Sequence, residues 1–128
     1  MLTAMILAGG MGTRLRPVLA DRQKVAAEVA GTPFIAYLLR QVEKAGARKV
    51  ILCAGYRAKS LETAVQGLFP RLEVKFSIEE CPLGTGGALR LALKSCMEKE
   101  FLVMNGDSFF DLDLNAFLVF SVRVSESV

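Results

Sequence analysis

The sequence predicts an α/β protein: a Rossmann-like, doubly wound, mostly parallel sheet held between two layers of helices. Apolar runs at residues 4–8 and 49–54 read as strands buried on both faces, and residues 101–107 as a further strand ending in a turn. Stretches with apolar residues at helical spacing separate them, joined by connections of ordinary length. Strand and helix therefore alternate three times and close on a strand, the pattern of right-handed crossovers in a parallel sheet. With 128 residues, 52% of them hydrophobic, the chain suffices for one domain with a substantial core.

The first strand, Ala4 to Ala8, runs into "GGMGTRLRP". Thr32 then reads as a helix N-cap with Pro33 at the first helical position. Phe34, Ile35, Leu38, Leu39 and Val42 recur at helical spacing, and Gly46 supplies the stop. "KVILCA" (49–54) is the second strand, and residues 58–68 form a second helix ending near Gly67 and Pro70. Leu72, Val74, Phe76 and Ile78 alternate with polar residues, which predicts a third strand. Thr85 is placed to cap a third helix reaching about Cys96, with Leu89, Leu93 and Cys96 on one face. "FLVMNGD" (101–107) is the fourth strand with its closing turn. No internal repeat, low-complexity segment or internal linker interrupts this single unit.

Ligands of such sheets bind beyond the carboxyl ends of the strands, near the point where strand order reverses. In the order 3-2-1-4, strands one and four are neighbours, so the glycine-rich loop and Asp107 reach one crevice. Gly9, Gly10 and Gly12 allow a close-fitting loop of backbone N–H groups, and Arg14 and Arg16 stand beside it; that combination suits polyphosphate. The competing reading is a plain strand-to-helix turn. The loop is neither GxxxxGK[ST] nor GxGxxG. Arg14, Arg16, Arg22 and Lys24 face only Asp21 within residues 1–25, a small basic cluster matched to a phosphorylated small molecule. The net charge of +3 gives no indication of nucleic acid. Taken alone, Lys24 is an ordinary solvated lysine.

A second glycine cluster, "EECPLGTGGAL" (79–89), reads either as a turn opening a helix or as a base-recognition loop. In the second case the backbone around Gly84 and Gly86, or the carboxylate of Glu79 or Glu80, meets a base edge, and Gly87 allows a close approach at the helix start. Asp107, just past a buried strand, is either a turn or cap residue or a ligand for Mg²⁺, which takes one or two carboxylates together with phosphate oxygens. Asp111 and Asp113 read as turn residues. The chain has no histidine, which removes Ser-His-Asp and Cys-His catalysis, and its three cysteines show no zinc spacing. Unpaired cysteines, no basic leader and no run near the ~18 apolar residues of a membrane span point to a cytoplasmic protein with no membrane partner.

Together "LAGGMGTRL", Lys24 and the strand-end "NGD" resemble the sugar-1-phosphate nucleotidyltransferase family over residues 3–115. "PLGTGGAL" and "NGDSFFDLDL" are most similar to its guanylyltransferases for D-glycero-D-manno-heptose 1-phosphate and, next, mannose 1-phosphate. The resemblance implies transfer of a nucleotidyl group from an NTP, GTP in this branch, to a sugar 1-phosphate, releasing pyrophosphate. It implies nucleotide binding by Leu7, Ala8, Gly9, Gly10, Gly12, Thr13, Arg14, Lys24, Glu79, Glu80, Gly84 and Thr85, with Arg14 and Lys24 catalytic and Mg²⁺ on Asp107. The sequence departs from the family at Gln23, where proline is usual, and in "AAEVAGTP". "FLVFSVRVSESV" (117–128) is expected to leave the family pattern, which reads as a truncated member carrying the nucleotide-binding part, with self-association a further expectation. The alternatives are a non-catalytic nucleotide- or nucleotide-sugar-binding module and a dinucleotide-binding oxidoreductase; the second lacks an acidic residue after strand two.

Overall fold

A computed structural model describes residues 2–8, 28–29, 32–55, 58–81 and 83–126. Strand β1 (Thr3–Leu7) is followed by two short strands, β2 (Glu28–Val29) and β3 (Thr32–Pro33), and by helix α1 (Phe34–Lys44). Then come β4 (Lys49–Ala54), α2 (Ala58–Val65), β5 (Glu73–Ile78), α3 (Gly84–Leu93), β6 (Leu102–Asn105) and α4 (Leu114–Glu126). The four long strands pair in parallel in the order β5-β4-β1-β6, the predicted 3-2-1-4 arrangement. β2 and β3 form a separate antiparallel pair.

Alternation along β1 and β4 sends side chains to two cores. Ala4, Ile6, Val50, Leu52 and Ala54 pack against Ile35, Leu38, Leu39 and Val42 of α1, Leu61 and Val65 of α2, and Leu114 of α4. Met5, Ile51 and Cys53 pack on the opposite face against Ala88 and Ala92 of α3. Each fully buried Ile or Leu contributes about 2 kcal/mol by leaving water, so the central strands are the most firmly held part of the fold.

Five local expectations are corrected. Thr32 and Pro33 do not open α1 as cap and first residue: they pair with β2, Pro33 takes the N-cap position with ψ 135°, and no side chain caps the helix. A strand pairing there outcompetes the local capping preference. Helix α2 ends at Val65, and the chain turns through residues 66–68 before Phe69 buries. Thr85 lies inside α3, whose N-cap is Leu83, and the helix ends at Leu93, not at Cys96. Its buried face is Ala88 and Ala92, with Leu89 and Cys96 half-buried and Leu93 exposed, because small side chains let the helix sit close to the sheet.

Candidate functional site

The registers align Leu7, Cys53, Ser77 and Asn105 across the carboxyl edge of the sheet. Just beyond that row the backbone is stitched strand to strand. The Ala8 N–H donates to the Cys53 carbonyl at 2.8 Å, the Glu79 N–H to Ala54 at 2.8 Å, and the Gly106 N–H to Leu7 at 2.9 Å. Gly106 is a residue that sequence reading missed. A Cβ there would sit 2.4 Å from the Leu7 carbonyl oxygen, so only glycine lets β6 turn against β1. The glycine in "NGD" was the available signal.

That turn delivers Asp107 beside the root of the first glycine-rich loop. Asp107 is exposed and accepts a hydrogen bond from the Ser108 hydroxyl at 3.1 Å. Leu7 is half-buried and Ala8 buried, forming the floor from which the loop departs. Gly9, Gly10, Gly12, Thr13, Arg14 and Lys24, with Arg16 and Arg22, lie outside the described residues.

At the far side of the edge, Glu79 Oε2 accepts the Leu83 N–H at 2.9 Å, bracing the turn that opens α3. One oxygen of Glu79 is therefore committed to the loop itself, while Glu80 is exposed. Gly84 adopts a φ of +73°, which strains any side chain, and a Cβ at Gly84 or Gly86 would meet nothing within 4 Å. No side chain caps α3 and no acidic residue occupies its first turn. The amino end of α3, with exposed Thr85, thus leaves backbone donors and open space above the sheet. At about 4.8 Å per strand, the start of α3 and Asp107 are separated by the width of two or three strands, a span suited to an extended nucleotide.

Beneath this edge, burial and then the Glu79 carboxylate push the Cys53 thiol up to about 11. Cys53 is accordingly a neutral packing group, not a nucleophile. Among the described residues no cluster of three or more Cys, Asp or Glu is arranged to hold a metal. A single strand-end carboxylate such as that of Asp107 has the oxygen chemistry that Mg²⁺ takes together with phosphate oxygens. A cleft of about 530 Å³ between α2 and β5 includes none of these strand-end residues.

The chain matches the nucleotidyl transferase family over residues 3–127. It belongs to that family. The match runs on through residue 127, into the tail (117–128) that was expected to leave the pattern, which corrects that expectation. Among curated nucleotidyl transferases it is 39% identical over 112 residues to D-glycero-alpha-D-manno-heptose 1-phosphate guanylyltransferase of Campylobacter jejuni, covering 88% of this chain and 50% of the relative. The enzyme of the same name from Aneurinibacillus thermoaerophilus is 38% identical over 111 residues, with 87% and 48% covered. The crystal structure of HddC from Yersinia pseudotuberculosis complexed with GMP-PN superposes with a TM-score of 0.83 at 38% identity, over 94% of this chain and 54% of that one. The chain spans about half the length of the curated relatives it matches.

Proposed function

We propose that this nucleotidyl transferase chain carries the nucleotide-binding part of an enzyme that joins GTP to a sugar 1-phosphate, giving a GDP-sugar and pyrophosphate. The observation that carries the reading is the convergence of the β1 loop root, Asp107 and the uncapped start of α3 on one edge of the sheet. The names of the heptose 1-phosphate guanylyltransferases and the guanine nucleotide in the HddC complex support the choice of base and acceptor.

In this reading a phosphate oxygen of the sugar 1-phosphate attacks the α-phosphorus in line. The bond from that phosphorus to the oxygen bridging to the β-phosphate breaks, and pyrophosphate leaves with that oxygen. The chemistry asks for positioning and charge neutralisation, which need no histidine. Leu7 and Ala8 with the N–H groups of Gly9, Gly10, Gly12 and Thr13 hold the triphosphate, and Arg14 and Lys24 neutralise the phosphates as they react. Asp107 holds Mg²⁺, which when bound offsets phosphate charge. Glu79 braces the base-side loop, while Glu80, Gly84 and Thr85 face the base. The absence of disulfides among Cys53, Cys81 and Cys96 supports a cytoplasmic location, and no described helix is long and apolar enough to cross a membrane.

The test is the melting-temperature shift of the 128-residue chain with GTP, ATP, UTP, CTP and dTTP, each with and without Mg²⁺. A site filled to about 100 times Kd adds roughly 2.7 kcal/mol, several degrees for a domain of this size. A Mg²⁺-dependent shift led by GTP, diminished in Arg14→Ala and stripped of its Mg²⁺ component in Asp107→Ala, is expected. No shift with any nucleotide refutes the reading for this chain.

A further inference from the structure

We propose that Gln41 of α1 is a positioning residue for the Asp107 carboxylate, acting through the strap that follows it. The inference rests on the reading of Asp107 as the Mg²⁺-nucleotide ligand. Residues 108–113 leave the carboxyl edge at β6 and pass along α1 before α4 begins. The side-chain amide of Gln41 donates to two main-chain carbonyls of this strap, Phe110 at 2.7 Å and Leu112 at 3.0 Å. An NH₂ group has two hydrogens, and both are used. The Leu112 N–H also donates to the Phe110 carbonyl at 2.8 Å, closing a tight turn within the clamp. Farther on, Asp113 Oδ1 caps α4 by accepting the Ala116 N–H, and the Asn115 amide donates to the Lys44 carbonyl at 3.4 Å.

Asp107 therefore sits on a short span fixed at both ends. Upstream, the Gly106 N–H is bound to the Leu7 carbonyl, and the two backbones approach too closely for a Cβ at residue 106. Downstream, the first clamped carbonyl belongs to Phe110, and four residue steps reach at most about 14 Å. Between the anchors, Asp107, Ser108 and Phe109 are exposed, and Phe110 itself is 73% exposed, so little apolar burial holds this stretch. The amide of Gln41 supplies by hydrogen bonding what burial does not. A metal ligand is effective when its place is set to within about 0.5 Å. Without the clamp the strap pivots on Gly106, and binding of the metal must then order it.

The test measures GTP affinity of the full 128-residue chain by calorimetry, with and without Mg²⁺, for the wild type, Gln41→Met and Gln41→Lys. Methionine keeps length and helix propensity but removes both donors; lysine restores donors of similar reach. For Gln41→Met, the affinity without Mg²⁺ is expected to stay at the wild-type value, while the gain conferred by Mg²⁺ falls roughly tenfold, the equivalent of losing one or two net hydrogen bonds. Gln41→Lys is expected to recover most of that gain. An unchanged Mg²⁺ gain in Gln41→Met overturns the inference and leaves the nucleotide reading standing. Equal weakening with and without Mg²⁺ also overturns it, since that is the mark of a merely structural contact. If wild type binds GTP without any Mg²⁺ gain, the role of Asp107 fails, and this inference fails with it.

Discussion

At the scale of single residues, the candidate site depends on where the backbone has room. Gly106 is buried between the last strand and the end of β1, with the Leu7 carbonyl where a Cβ would go. Backbone cannot yield as the tip of a flexible side chain does, so Gly106→Ala forces β6 away from β1 or twists the turn. Overpacking of this kind costs about 1–3 kcal/mol, a fall in Tm of roughly 4–12 °C for a chain of this length. Because Asp107 is the next residue, the variant is expected to lose the Mg²⁺-dependent part of nucleotide stabilisation as well as stability. Thermal melts with GTP, with and without Mg²⁺, measure both. A variant that melts lower yet keeps the full Mg²⁺ effect would separate Gly106 from the placement of Asp107.

At the scale of elements, the amino-end rim of the sheet, opposite the candidate site, is tied by a polar knot. Lys49, at the start of β4, donates to the Ser95 carbonyl at 3.0 Å and lies 3.9 Å from the Glu98 carboxylate. Glu98 Oε2 also accepts the Cys96 thiol at 3.1 Å and the Met97 N–H at 3.0 Å, holding the α3–β6 connector against the sheet. The Cys96 thiol, then backbone hydrogen bonding, and more weakly the Lys49 charge, lower the Glu98 carboxyl from 4.5 to about 2. A carboxyl depressed in the folded state contributes stability that is complete above its unfolded value and is lost as pH falls through the folded one. Stability is therefore expected to decline between pH 4.5 and 2, and Glu98→Gln, lower in Tm at neutral pH, is expected to decline less steeply there. Parallel Tm profiles for the two proteins across that window would remove Glu98 from the acid response.

The same elements mark how far the sequence could be read. Apolar runs located β1 and β4, which are buried on both faces, and also β6, while alternation with polar residues located β5. The order 3-2-1-4, common for such sheets, makes strands one and four neighbours and so brings the glycine-rich loop and Asp107 to one crevice. Capping signals failed where a local hairpin competed with them, as at Thr32 and Pro33, which pair with Val29 and Glu28 of β2. Periodicity failed at α3, where close approach to the sheet selects Ala88 and Ala92 over the larger residues that it favours. Gln41 carried no legible signal at all: its two acceptors lie 69 and 71 residues away, and only the path of the strap brings them together.

At the scale of the whole molecule, the two edges of the sheet are built differently. On β5, exposed Glu73 and Lys75 pair at 3.2 Å, and charges on an edge strand discourage pairing with another chain. On β6, "LVMN" carries no charge and Val103 is exposed. Beyond it Phe109, Phe110, Phe117 and Phe120 are all exposed, and residues 114–121 of α4 contain no charged residue. An uncharged edge can meet its own copy about a two-fold axis without opposing like charges, and the flanking aromatic side chains then leave water together. The 128-residue chain is expected to self-associate through β6 and the outer face of α4, with a weight-average mass in sedimentation that rises with concentration. Val103→Lys and Phe120→Lys, both at exposed positions, are expected to return it to monomer with little change in Tm. Lys75→Ala, on the opposite edge, is expected to leave that monomer–oligomer balance where it was. A wild-type mass that stays monomeric at all concentrations would mean that the twist of β6 and its strap already deny the edge to a second copy.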